Sequence, residues 1–70
     1  MNIGQNIRRL RTERGLSETD LASRAGIREA DVLRYERGAN RPRIETAARL
    51  AHALGVTLDD LIGTKNRAAI

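Results

Sequence analysis

Apolar residues recur along this chain at intervals of three and four, and each such stretch stops at or beside a glycine. That spacing belongs to amphipathic helices; no run shows the alternation of period two that marks a half-buried strand. Ile3, Ile7 and Leu10 stand at i, i+4 and i+7, with Arg8, Arg9 and Glu13 on wetter faces, which predicts a first helix from about Asn2 to Arg14, ended by Gly15. Ser17 is a good N-cap, and Glu18 and Asp20 put negative charge into the first turn after it, where the peptide dipoles favour it. Leu21, Ala22 and Ala25 make the inner stripe of this second helix, which stops at Gly26 and is too short to persist alone in water. A third helix is predicted over Arg28–Arg37, with Val32, Tyr35 and Glu36 on one face and Ala30, Arg34 and Arg37 on another. The segment from Gly38 to Pro42 reads as a loop, because Pro42 disfavours helical geometry at Arg41. A fourth helix follows from Arg43 to Leu54, with Ile44, Ala47, Ala48, Leu50, Ala51 and Leu54 as its expected buried stripe. Thr57 caps a short fifth helix in which Asp60 completes a Thr-x-x-Asp capping-box pattern.

Seventy residues hold one domain, near the lower limit for a single core. With no cysteine, neither a disulfide nor a thiolate-bound metal can stabilise it, so the core must come from packed helices. Its stock is aliphatic, with Tyr35 as the sole aromatic, and small alanines let short helices approach closely. The expectation is an all-α, compact five-helix domain over residues 1–63, followed by a flexible C-terminal tail over residues 64–70. Val56, Leu58, Leu61 and Ile62 give the fifth helix more apolar surface than so short an element needs. They either close the core or form the interface of a homodimer.

The balance of 13 basic against 9 acidic side chains leaves a formal charge of +4 and a pI near 11.0. Basic surface attracts phosphate. Nearly all the cations are arginines, whose planar fork suits phosphate oxygens and guanine edges, although a GC-rich genome would produce the same bias. No apolar run approaches the roughly 20 residues of a membrane span. The start, MNIGQNIRRLR, lacks the apolar segment of a signal peptide, so a cytoplasmic protein without a membrane partner is expected. His52 is the single histidine, expected to be exposed and incidental on the fourth helix, and the pair Asp59-Asp60 is explained by capping. The glycines are isolated and form no phosphate loop. Neither catalytic residues nor a metal site, cofactor or small-molecule ligand is expected, and the chain is not read as an enzyme.

The ordered motifs Leu16-Ser17-x-x-x-Leu21-Ala22, Ala25-Gly26-Ile27, Val32-x-x-Tyr35-Glu36-x-Gly38, Arg41-x-x-Ile44-Glu45-Thr46 and Leu50-x-x-Ala53-Leu54-Gly55-Val56-Thr57-Leu58 resemble the Cro/phage-repressor family, also called the xenobiotic-response-element type. The resemblance runs from about Ile3 to Ile62. It implies a helix-turn-helix formed by the second and third helices, with the third fitting the major groove and its N-terminal part nearest the bases. Carried over by position, the base-facing residues are Arg28, Glu29, Ala30 and Arg34. Arg34 suits the O6 and N7 of guanine, Glu29 a cytosine amino group, and Ala30 a thymine methyl. The resemblance puts phosphate contacts at Ser17, Glu18, Arg37, Asn40, Arg41 and Arg43, the last near the minor groove. It also implies a structural pair between Arg11 and Glu36. The partner is then double-stranded DNA, read as a palindromic operator by a homodimer whose recognition helices lie about 34 Å apart.

Three features depart from the family's pattern. Glu18 stands where the family usually has Gln, and a carboxylate there would repel phosphate. The third helix is neutral, since Glu29, Asp31 and Glu36 offset its three arginines, and Leu33 occupies a position more often polar. The primary expectation is a transcriptional repressor. An antitoxin or restriction-modification controller of the same fold remains open, as does a protein-interaction module that has lost DNA binding, which Glu18, Glu29 and Asp31 would favour.

Overall fold

The computed structural model describes residues 3–63, and these form five helices: α1 Ile3–Glu13, α2 Glu18–Ala25, α3 Glu29–Arg37, α4 Ile44–Leu54 and α5 Leu58–Ile62. No strand occurs among the described residues. Asn2, the expected start of the first helix, and the expected tail over residues 64–70 lie outside them.

Local chemistry sets the boundaries. At the start of α2 the Ser17 hydroxyl accepts from the Asp20 N–H at 3.0 Å while the Asp20 carboxylate accepts from the Ser17 N–H at 3.1 Å, a reciprocal box that satisfies two backbone donors. Thr57 and Asp60 repeat the arrangement at the start of α5 with the same distances. At the other end of α2, Gly26 turns the chain with φ +71°, a left-handed conformation that costs a residue with a Cβ about 1–2 kcal/mol. The Ile27 N–H then reaches back to the Ala22 carbonyl at 3.0 Å, closing the corner into α3.

Packing supplies what the short helices lack. Helix α3 packs on both α1 and α2, α4 packs on α2, and α5 bridges α4 and α1. Ile7, Leu21, Val32, Leu50, Leu54 and Leu61 are fully enclosed at the centre. Each such side chain stabilises the fold by about 1.5–3 kcal/mol relative to exposure. The Asn6 side-chain amide donates to the Leu61 carbonyl at 2.9 Å, so α5 is tied to α1 by a hydrogen bond as well as by its apolar face.

Three expectations about burial are corrected. Ile44 does not join the buried stripe of α4; it is 58% exposed. It stands in the first turn of its helix, before the stripe of Ala47, Leu50, Ala51 and Leu54 meets the core. Ala48 is also exposed, because one residue beyond Ala47 is a step of about 100° around the helix, away from that stripe. Leu61, expected at a dimer interface, is 0% exposed and belongs to the domain's own core, where α5 meets α1 and α4.

Candidate nucleic-acid interface

The corner at Gly26 leaves α3 with one side against α1 and α2 and the other open to solvent. Val32 is buried and Tyr35 packs beside it, whereas Glu29, Ala30, Arg34 and Arg37 are exposed. Arg28 is the N-cap of α3 but caps nothing with its side chain; its Nε lies 3.4 Å from the Asp31 carboxylate. Exposed pairs of this kind contribute little, so the Arg28 head can exchange that partner for another. Glu29 and Asp31 fall in the first turn of α3 and Arg34 and Arg37 in the last, the arrangement its dipole favours. The acidity of this helix therefore has a structural cause. Arg34 has no ion-pair partner among the described residues, and its guanidinium is available to a ligand.

Behind α3, Arg11 fixes the scaffold. Its Nε donates to Glu36 Oε2 at 2.7 Å and its Nη2 to Glu36 Oε1 at 3.0 Å, a two-point pair of the strong, planar kind. The third nitrogen, Nη1, donates to the Leu16 carbonyl at 2.9 Å, which ties α1 to the segment leading into α2 as well. The hydrogen bond to Glu36 holds the Arg11 guanidinium above its ordinary pKa, against burial, which acts the other way. No buried side-chain nitrogen or oxygen among the described residues lacks a partner.

The flanks of α3 carry the residues expected at phosphates. Ser17 is exposed, with its hydroxyl engaged as the cap of α2. Glu18 is directed differently from the expectation: its carboxylate lies 3.8 Å from Arg11 and is only 33% exposed. Its carboxylate is thus drawn toward a guanidinium of the chain itself, and only its backbone N–H, one of the donors left open at a helix N-terminus, suits a phosphate. Asn40, Arg41 and Arg43 are exposed together in the loop before α4. Asn40 Oδ1 accepts from the Arg41 N–H at 3.1 Å and stiffens that loop, while Arg43, as the N-cap of α4, makes no capping bond with its side chain.

Among the residues expected between two copies, Val56, Leu58 and Ile62 are half-buried. Ile62 shares a shallow cleft of about 210 Å³ with Ile3, Pro42, Ile44 and Ala47. The apolar surface thus centres on Ile44, which the periodicity of α4 had assigned to the core. A second residue without a role in the sequence reading is Arg49 of α4: its Nη1 lies 3.8 Å from where a Cβ on Gly26 would stand, so it covers the corner between α2 and α3. His52 is exposed. Among the described residues no cluster of His, Asp or Glu is placed to hold a metal ion, and no helix is long and apolar enough to cross a membrane.

Comparison with known proteins agrees with this geometry. A helix-turn-helix transcriptional regulator of Sinorhizobium fredii, y4dJ, is 37% identical over 60 residues, which cover 86% of this chain and 78% of that one. The transcriptional repressor RstR of a cryptic CTXphi phage of Vibrio cholerae is 38% identical over 60 residues, covering 86% of this chain but 54% of the repressor, so this chain spans about half of that relative. Among solved structures, SinR, a master regulator for biofilm formation determined in complex with DNA, superposes with a TM-score of 0.82 at 31% identity, over 86% of this chain and 97% of that one. The helix-turn-helix family profile matches residues 7–61, nearly the full set of described helices, and the chain belongs to the helix-turn-helix family.

Proposed function

We propose that this protein is a sequence-specific DNA-binding transcriptional regulator, a repressor, that reads a palindromic operator as a homodimer. The observation that carries this reading is the outer side of α3: Arg28, Glu29, Ala30 and Arg34 stand free of the body while the opposite side is locked to α1 by Arg11 and Glu36. A rigid helix with exposed hydrogen-bonding groups is what base reading in the major groove requires. The names of the relatives, a phage repressor and a regulator solved with DNA, point the same way.

In this reading Arg34 makes a bidentate pair with guanine, Glu29 accepts from cytosine and Ala30 packs on a thymine methyl. Ser17, the Glu18 N–H, Arg37, Asn40, Arg41 and Arg43 position the duplex through its phosphates. A domain of this size buries too little surface to choose one site in a genome, so two copies act together. The apolar patch around Ile44 and Ile62 supports such pairing. The rival reading, a protein-interaction module, drew on Glu18, Glu29 and Asp31; Glu18 lies beside Arg11, and Glu29 and Asp31 stand in the first turn of α3, where its dipole favours acids, so their charge has a structural cause.

Selection of random duplexes by the purified protein tests this function. Enrichment of an inverted repeat with half-sites one helical turn apart is the expected result. Absence of any enriched sequence at low salt would overturn it. Sedimentation with and without the enriched duplex reads the number of copies bound.

A further inference from the structure

A groove of about 340 Å³ opens between α1, the start of α2 and the second half of α3, lined by Arg8, Glu18, Leu33, Glu36 and Arg37. Its two carboxylates are already committed, since Glu36 takes two hydrogen bonds from Arg11 and Glu18 lies 3.8 Å from the same guanidinium. The two remaining cations, Arg8 and Arg37, are exposed and have no ion-pair partner among the described residues. With Arg11 counted, three guanidiniums face two carboxylates around one small groove, and the excess positive charge sits on its rim. An anion between Arg8 and Arg37 would relieve their mutual repulsion and gain two charge-assisted hydrogen bonds. Leu33, half-buried on α3 between them, gives the same groove an apolar wall.

Charge at the rim with an apolar wall beside it matches a phosphodiester and its sugar better than a free inorganic anion. Leu33 and Arg37 also belong to the helix that presents Arg34, so a duplex read by Arg34 would bring its backbone past this groove. Resting on the DNA-reading function proposed above, we infer that Arg8 of α1 is a further backbone contact, which together with Arg37 clamps one phosphate flanking the bases read by α3. Arg8 makes no contribution to base choice. This also accounts for Glu18 at a position facing DNA: Arg11 draws its carboxylate inward, and Arg8 supplies the attraction to phosphate that the carboxylate cannot.

Binding of the selected duplex and of a random duplex, measured by fluorescence anisotropy across salt concentrations, tests the assignment with Arg8→Ala and Arg8→Lys. Each phosphate contact adds about 0.9 to the slope of log affinity against log salt. Arg8→Ala is expected to lower that slope by about 0.9 for each copy bound, about two for the homodimer, so that raising salt from about 50 to about 200 mM weakens the variant about twelvefold less than the parent. The loss should be equal on both duplexes, Arg8→Lys should restore the slope, and thermal unfolding should not move. An unchanged slope in Arg8→Ala, or a change confined to the selected duplex, overturns the inference while leaving the DNA-reading function standing. Failure of the parent protein to bind any duplex overturns both.

Discussion

The two sides of α3 are built from similar residue types and behave in opposite ways. On the inner side, the Glu36 side chain is 5% exposed and takes two hydrogen bonds from Arg11, whose Nη1 donates to the Leu16 carbonyl. On the outer side, the Arg28 side chain is 83% exposed, and Arg34 is exposed without an ion-pair partner. An arginine with each of its three nitrogens bonded to a fixed oxygen is part of the frame; an arginine facing water keeps its rotamers and its donors for a ligand. Net charge cannot separate these roles. What separates them is whether a neighbouring helix brings an acceptor within reach.

The largest effect that would test this contrast is expected on the inner side. Arg11→Ala leaves the buried Glu36 carboxylate without its partner and should destabilise the fold by about 3–5 kcal/mol, a large part of the stability of a domain this small. Urea unfolding measures it, and an unchanged midpoint would dissolve the distinction between the two sides. Arg34→Ala should leave unfolding within about 0.5 kcal/mol yet remove about 1–3 kcal/mol of preference at one base position. Arg41→Ala is its control: it should weaken all sequences alike and lower the salt slope by about one for each copy bound. If the two variants behave identically in a binding selection, base contact and backbone contact have been wrongly sorted.

A smaller effect is expected at the corner that holds the two sides in register. Gly26→Ala has room, since the nearest heavy atom to the new Cβ is Arg49 Nη1 at 3.8 Å, so its expected loss of about 1–2 kcal/mol comes from backbone conformation alone. Chemical denaturation with Gly26→Asn beside it separates strain from space, because Asn tolerates the left-handed region better. The smallest effect belongs to the cap of α2. Hydrogen bonds from the backbone and side chain of Ser17 hold the Asp20 carboxyl below its ordinary range. A depressed carboxyl contributes stability that is present above its unfolded pKa and lost as pH falls through the lower folded value. Asp20→Asn should therefore lower thermal stability slightly near neutrality and leave it unchanged in acid, which flattens the acid limb.

Features written in adjacent residues were legible before any coordinates. Ser17 with Asp20, Thr57 with Asp60, and the glycine ends of the helices depend on neighbours within a few positions, and each helix begins and ends within a residue or so of its expected place. The five-helix fold and the exposed side of α3 followed from periodicity and motif order. Features that depend on which helix lies opposite were not legible. Ile44 and Leu61 are both aliphatic and both in stripe-like positions, yet one is exposed and the other enclosed, because α5 ends against α1 and α4 while nothing among the described residues covers the first turn of α4. Glu18 read as a liability at a phosphate until Arg11 was found beside it, seven residues away in sequence but on another helix. Asn6 and Arg49 gave no signal at all, since their roles consist of reaching a distant carbonyl and a distant turn.

The hydrogen bond from Asn6 to the Leu61 carbonyl has a consequence for how this domain can be joined to others. It draws the first and last helices together, and Ile3 and Ile62 line one cleft. The start of α1 and the end of α5 thus lie side by side, as in domains that accept insertion and circular permutation. A short linker bridging Ile3 and Ile62, with new termini opened in the loop at Asn40, should give a chain that still folds, and a reporter joined directly to either helix would hang from the same corner of the molecule.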